Sequence, residues 1–204
     1  MAFTYFFRDM HTLEMAVKHV IPYIAGRSKI RVWDAGCAMG PEPYSLAILF
    51  AENMGRFALR NFRIDATDVD GSNLFEEIIF RGVYHKDDLK RIPQHLFEKY
   101  FEPDREPDYF KLINGIRNRV YYRKHDLLSL QPVGDGYSMV LCKNVLLHFQ
   151  PAERVEVIKM FHGALAPGGY FATEQTQKLP RKVAHLFEPV VADAQLFRKI
   201  EARA

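Results

Sequence analysis

Residues 30–50 read Ile30-Arg-Val-Trp-Asp-Ala-Gly-Cys-Ala-Met-Gly-Pro-Glu-Pro-Tyr-Ser-Leu-Ala-Ile-Leu-Phe50, and their order decides the fold class. Ile30 to Trp33 has the pattern of a buried strand. A glycine-containing turn then runs to Pro43, a residue suited to a first helical turn, and Tyr44 to Met54 reads as helix. Upstream, Leu13, Val17, Val20, Ile21 and Ile24 recur at helical spacing and predict a helix ahead of the strand. Downstream the alternation repeats. A strand at Phe62–Thr67 precedes a helix at Asn73–Phe80 and a short helix at Pro93–Tyr100, and a strand at Tyr137–Cys142 precedes a helix at Ala152–Leu165 and a strand at Gly169–Thr173. Strands alternating with helices imply right-handed crossovers, so the class is α/β, a mainly parallel sheet with helices on both faces.

One segment breaks the rhythm. Tyr109 to Val120 places Asn114-Gly115 between two strand-like runs, and Asn-Gly favours a two-residue turn because both positions tolerate positive φ. The expectation is a small antiparallel β-hairpin insertion over 109–120 in an otherwise single domain of residues 1–204. Its exposed edge, with Arg117 and Arg119 beside it, would suit docking of an acidic extended peptide.

The 204 residues carry 28 Lys+Arg against 25 Asp+Glu, a net charge of +3 that gives little nonspecific attraction to nucleic acid. A hydrophobic share of 48% with 26% charged residues excludes a disordered chain. No apolar stretch approaches the roughly 18 residues of a membrane span. Two separated cysteines, Cys37 and Cys142, form no Cys-x-x-Cys, which argues against a disulfide framework or structural zinc and for a cytoplasmic location. Neither has a His placed beside it by a motif, so both read as small buried thiols rather than nucleophiles.

Ligands of open α/β sheets sit beyond the carboxyl ends of the strands, so the turns after each strand are where chemistry is expected. In the first, Gly36 and Gly40 would let the backbone approach a ligand closely, or serve the turn alone. There is no Gly-x-Gly-x-x-Gly and no Gly-Lys-Ser/Thr, so neither a dinucleotide pyrophosphate nor an NTP phosphate is indicated. The second turn opens on Asp68, a strand-end carboxylate able to accept both ribose hydroxyls of a nucleoside; helix capping fits Asp70 or Ser72 better. A glycine turn followed by a strand-end acid suggests an adenosine-bearing cofactor without phosphates, namely S-adenosylmethionine. The third and fourth turns are His125-Asp126-Leu127 and Cys142-Lys-Asn-Val-Leu-Leu-His148.

Five ordered segments carry a family resemblance. Thr4-Tyr-Phe-Phe-Arg8-Asp9, Val32 to Ala47, Ala66-Thr-Asp-Val-Asp70, Cys142 to Phe149 and Leu165-Ala-Pro-Gly-Gly169 resemble, in this order, the motifs of the CheR-type chemotaxis-receptor methyltransferases. The resemblance covers essentially the whole chain and implies a Rossmann-like class I S-adenosylmethionine-dependent methyltransferase fold, here the catalytic domain without the family's N-terminal helical domain. It implies methyl transfer to glutamate side chains of a protein, the cytoplasmic region of a methyl-accepting chemotaxis receptor, leaving S-adenosylhomocysteine. Matched position by position, cofactor contacts fall on Thr4, Arg8, Glu42, Asp68, Asp126, Leu127, Lys143 and Asn144, with Gly36 and Gly40 in the turn. Several positions depart from the pattern: Pro41 replaces a Glu, Lys143 an Arg and His148 a Tyr, and Glu174-Gln-Thr-Gln177 stands for Gly-x-Ser-Glu.

A glutamate carboxylate, with a pKa of roughly 4.3, is already an ionised nucleophile at neutral pH and needs no general base. What remains is positioning, for which an Arg fork is suited. Arg8 is thus the candidate carboxylate clamp, and His148 the second catalytic-site candidate, as a pocket wall rather than a base. Two rival readings remain. A nucleic-acid methyltransferase would use Arg117, Arg119, Arg123 and Lys124, and a cofactor-binding regulatory module would have lost catalysis through the altered rim.

Overall fold

The computed structural model describes residues 4–176 and 178–201, with the backbone alone at Arg56, so Gln177 lies outside the described residues. Helix α1 (Met10–Ile24) leads into β1 (Ile30–Ala35), α2 (Pro41–Asn53), the short α3 (Arg56–Arg60), β2 (Phe62–Asp68) and α4 (Phe75–Arg81). A smaller unit follows, made of β3 (Val83–His85), α5 (Gln94–Tyr100), β4 (Phe101–Pro103), β5 (Tyr109–Leu112) and the single turn α6 (Asn114–Arg117). The chain then runs through β6 (Val120–Lys124), β7 (Tyr137–Cys142), α7 (Pro151–Ala164), β8 (Leu165–Thr173), β9 (Phe187–Pro189) and β10 (Leu196–Lys199).

Seven strands form the main sheet in the order β6-β2-β1-β7-β8-β10-β9. The first five are parallel, and β10 is antiparallel to both its neighbours. From β1 the chain steps outward to β2 and β6, then crosses back to β7 and β8 on the other side. Strand order therefore reverses between β1 and β7, the point at which open α/β sheets open a crevice for ligands.

Both faces are covered, which is why the central strands are apolar on both sides. Ile30 and Val32 of β1 pack into the core that holds Leu13, Val17 and Val20 of α1 and Leu46 and Phe50 of α2. Trp33 and Ala35 face the opposite core, with Val157, Ile158 and Phe161 of α7. The indole N–H of Trp33, fully buried, donates to Thr67 Oγ1 at 2.9 Å, so the large ring is enclosed without an unpaired polar atom.

The expected hairpin over 109–120 is not formed. The antiparallel insertion exists, but β5 is its middle strand, paired with β3 on one side and β4 on the other. Asn114 opens a helical turn, and neither Asn114 nor Gly115 has the positive φ that an Asn-Gly hairpin turn requires. Tertiary packing wins over the local turn preference. Ile116 is buried at 1% exposure, and Val120–Lys124 finds in β2 a parallel partner over its whole length, from Ile64↔Val120 to Asp68↔Lys124. With both its edges paired, β5 cannot take up a peptide strand as the sequence suggested.

Gly40, which caps α2, has φ +101°, and a Cβ there would lie 2.7 Å from Tyr84 Oη and 2.8 Å from Ile79 Cγ1. Gly40→Ala should therefore combine left-handed strain with overpacking and cost roughly 1–3 kcal/mol. Urea denaturation measures this, and an unchanged midpoint would show that the turn can rotate away from β3.

Candidate functional site

The crevice between β1 and β7 is a cleft of about 620 Å³, within the usual range for small-molecule sites. Thr4, Arg8, Gly36, Glu42, Asp68, Lys143, Asn144 and His148 line it, so eight of the sequence-predicted site residues meet in one place. Gly40, Asp126 and Leu127 are not in the lining. Gly40 lies against Tyr84 and Ile79, and Leu127 packs in the core around Trp33. Asp126 is exposed, its Oδ1 accepting the Leu128 N–H at 2.9 Å.

The floor comes from the ends of β1 and β2. Gly36 (φ +104°) and Cys37 both donate their N–H to Thr67 C=O, at 2.7 and 3.0 Å, which turns the chain sharply off β1. Asp68 accepts the Ala38 N–H on Oδ2 and the Asp70 N–H on Oδ1, each at 3.0 Å. A carboxylate offers about four lone-pair sites, so two remain for a ligand. Capping of α4 falls to Asp70, which takes the Phe75 N–H at 3.0 Å and the Ser72 hydroxyl at 2.7 Å.

The wall comes from the turn after β7 and from the segment before α1. Lys143 Nζ, fully enclosed, donates to Glu42 Oε2 and to Arg8 C=O, both at 3.0 Å, and lies 3.4 Å from Asp9 Oδ2. An ammonium has three N–H groups, and these three acceptors engage them. Burial pulls the Lys143 ammonium down, but the Glu42 and Asp9 carboxylates more than offset this and hold it above its ordinary value. Lys143 thus acts here as a clamp between segments. Asn144 is left-handed at φ 58°; its N–H is held by Glu174 Oε2 at 3.1 Å, and its Oδ1 accepts from Arg8 Nη2 at 3.2 Å. His148 is exposed on the rim, with no side-chain hydrogen bond among the described residues. Cys37 and Cys142 are free and buried, and burial first, then nearby carboxylates, pushes both thiols well up.

Two further acids belong to the site, although the sequence alone assigns neither a role. Asp34 is 0% exposed at the end of β1, and Glu174 is 3% exposed just past β8. The available signal was a carboxylate adjoining a strand otherwise apolar on both faces, since such groups are rarely enclosed without a partner or a task.

An open α/β sheet with an acid-lined cleft at its switch point is the architecture of class I S-adenosylmethionine-dependent methyltransferases. The chain belongs to the CheR methyltransferase family, whose S-adenosylmethionine-binding domain matches residues 2–196. A probable chemotaxis protein methyltransferase of Rhizobium etli is 25% identical over 92% of this chain and 72% of its own length. Chemotaxis protein methyltransferase 1 of Pseudomonas aeruginosa is 32% identical over 87% of this chain and 67% of its own. Among solved structures, DszA carbon methyltransferase is similar in fold at a TM-score of 0.51 and 13% identity, over 83% of this chain and 36% of that one. The chain is thus an S-adenosylmethionine-dependent methyltransferase domain. No described helix is long and apolar enough to cross a membrane.

Burial first, and then the Glu42 charge, pushes the Asp34 carboxyl well above the usual carboxylate range. The folded chain therefore holds a proton that the unfolded chain releases near pH 3.9 (a typical value), so Asp34 lowers stability progressively as pH rises above roughly that value. Asp34→Asn should raise the melting temperature at pH 8 and give a gain that shrinks toward pH 4. Thermal melts across that range check it; a gain independent of pH would sink the assignment.

Proposed function

We propose that this domain transfers methyl from S-adenosylmethionine to glutamate side-chain carboxylates of a protein, the cytoplasmic region of a chemotaxis receptor. The observation that carries the reading is the meeting of Arg8, Glu42, Asp68 and Asn144 in one cleft at the switch point. Relatives named as chemotaxis protein methyltransferases support the receptor as partner.

The cleft's donor and acceptor set fits the cofactor. Asp68 has acceptor sites left for ribose hydroxyls, Glu42 offers a carboxylate to an ammonium, and Arg8 and Asn144 offer N–H donors to a carboxylate. When bound, the cofactor supplies an electrophilic methyl on a sulfonium. The chain's own residues then have a positioning task, because the incoming carboxylate is ionised at neutral pH. Arg8 holds that carboxylate through a planar fork that does not lose its charge. His148 and Leu147 on the rim shield the reacting pair from water.

Asp68→Ala should weaken binding of S-adenosylhomocysteine by roughly 10- to 150-fold, from the loss of charge-assisted hydrogen bonds of about 1.5–3 kcal/mol. Calorimetric titration alongside a melting curve checks this; unchanged affinity in a folded variant would leave Asp68 as a loop anchor only.

Arg8→Lys should bind S-adenosylhomocysteine within a few-fold of wild type yet transfer methyl at least ~10-fold more slowly, a barrier increase of roughly 1.4 kcal/mol. The assay is transfer of labelled methyl to a receptor fragment, with label recovered in a base-labile ester. A full rate for Arg8→Lys means that charge alone suffices, and stable label in nucleic acid would replace the proposed substrate class.

A further inference from the structure

Asp34 poses a problem of charge. Its carboxyl is wholly enclosed, and neither oxygen has a hydrogen-bond donor among the described residues. The carboxylate that acts on it most strongly is that of Glu42, in the first turn of α2, which raises the Asp34 carboxyl through its charge and through side-chain hydrogen bonding. Two ionised carboxylates are both acceptors and cannot bond to each other, so the pair must hold a proton. Glu42 is already matched by the Lys143 ammonium at 3.0 Å, which leaves the proton on Asp34. The enclosed trio then sums to zero: one neutral acid, one carboxylate and one ammonium. Burial and the adjacent Glu42 charge act in the same direction on Asp34.

Glu42 borders the cleft, whereas Asp34 lies behind it and is not in the lining. We propose that Asp34 is a positioning residue that donates its proton's hydrogen bond to Glu42 in the free protein and releases that proton when the ammonium of S-adenosylmethionine settles beside Glu42. The inference rests on the reading of this cleft as the cofactor site. The balance is an exchange of one cation for another: the Asp34 O–H bond breaks, the proton goes to solvent, and two carboxylates then face two ammonium groups. The cluster is neutral before and after. Uptake of the cofactor is thereby coupled to pH through a residue that does not touch it.

Other groups face this pair. Asp68 at the end of β2 adds negative charge that favours the protonated acid, and Lys143 after β7 opposes it. The Cys37 and Cys142 thiols are held neutral by burial. Asp9 reaches the pair only through Lys143, at 3.4 Å. Arg8 lines the same cleft and His148 stands on its rim, so a variant at position 148 serves as a control.

The test is calorimetric titration of the full chain with S-adenosylhomocysteine at pH 6.5, in buffers of different ionisation heat, which counts protons released on binding. Wild type and His148→Gln should release close to one proton, and Asp34→Asn, whose amide N–H can still donate to Glu42, close to none. Methylthioadenosine, which lacks the amino-acid portion, should release none from any of them. Between pH 6 and 7 the affinity of wild type for S-adenosylhomocysteine should rise toward tenfold while that of Asp34→Asn stays flat. Binding by wild type without proton release overturns the proposal, as does release that persists in Asp34→Asn or vanishes in His148→Gln. Absence of any binding overturns the cofactor reading and this proposal with it.

Discussion

The Lys143 ammonium is the interaction on which the site's geometry depends. Removing it from water is costly, and the cost is offset only because its acceptors come from fixed places: Glu42 on α2, the carbonyl of Arg8 and the carboxylate of Asp9. These three acceptors tie two separate stretches of chain, α2 and the segment before α1, to the end of β7. Taking away any one of them leaves a buried charge short of a partner, so the arrangement specifies position more than it adds stability. Residues 4–9 owe their place to it. They adopt left-handed backbone at Phe7 (φ 56°) and Asp9 (φ 53°), a strain that persists only where surrounding contacts impose it.

The small antiparallel sheet supplies the opposing anchor. Phe6, fully buried, meets the edge of Tyr84 on β3 at 5.0 Å and Phe101 on β4 at 5.6 Å. The Phe7 N–H donates to Ser45 Oγ at 2.8 Å, and that hydroxyl in turn donates to Pro41 C=O at 2.6 Å. The departure at Pro41 is therefore accommodated twice over: proline suits the first helical position, and its carbonyl seats the serine that holds the entering segment. At position 143, a compact ammonium suits three convergent acceptors where a planar guanidinium would need a wider space.

Much of this was legible because it is local. The strand, glycine turn and helix over residues 30–54 are written in hydrophobic periodicity and in Gly and Pro placement, and Asp68 stands where a strand-end ligand group is expected. The Asn114-Gly115 reading failed because a turn preference worth little was set against the burial of Ile116 and a full parallel ladder with β2, neither visible from neighbouring residues. Strands β9 and β10 went unread for a related reason, since β10 owes its pairing to β8 and to a distant return of the chain. The roles of Asp34 and Lys143 were hidden differently. A sequence shows that charges exist, but whether an ammonium has spent its donors depends on which segments converge around it.

Arg8 shows how these constraints reach the chemistry. A cation beside a sulfonium is unfavourable, so a guanidinium in this cleft is useful only if its direction is fixed toward carboxylates. Its direction is set from both ends: Lys143 holds the backbone carbonyl of Arg8, and Asn144, itself pinned by Glu174, takes one arm of the fork at 3.2 Å. Long side chains ordinarily lose rotamer freedom when they grip a ligand, and that loss weakens the grip. Here the neighbouring residues 143 and 144 impose the order before any ligand arrives. The same two residues thus bury one charge to place another, which ties the enclosed Lys143 ammonium to the Arg8 guanidinium that lines the cleft.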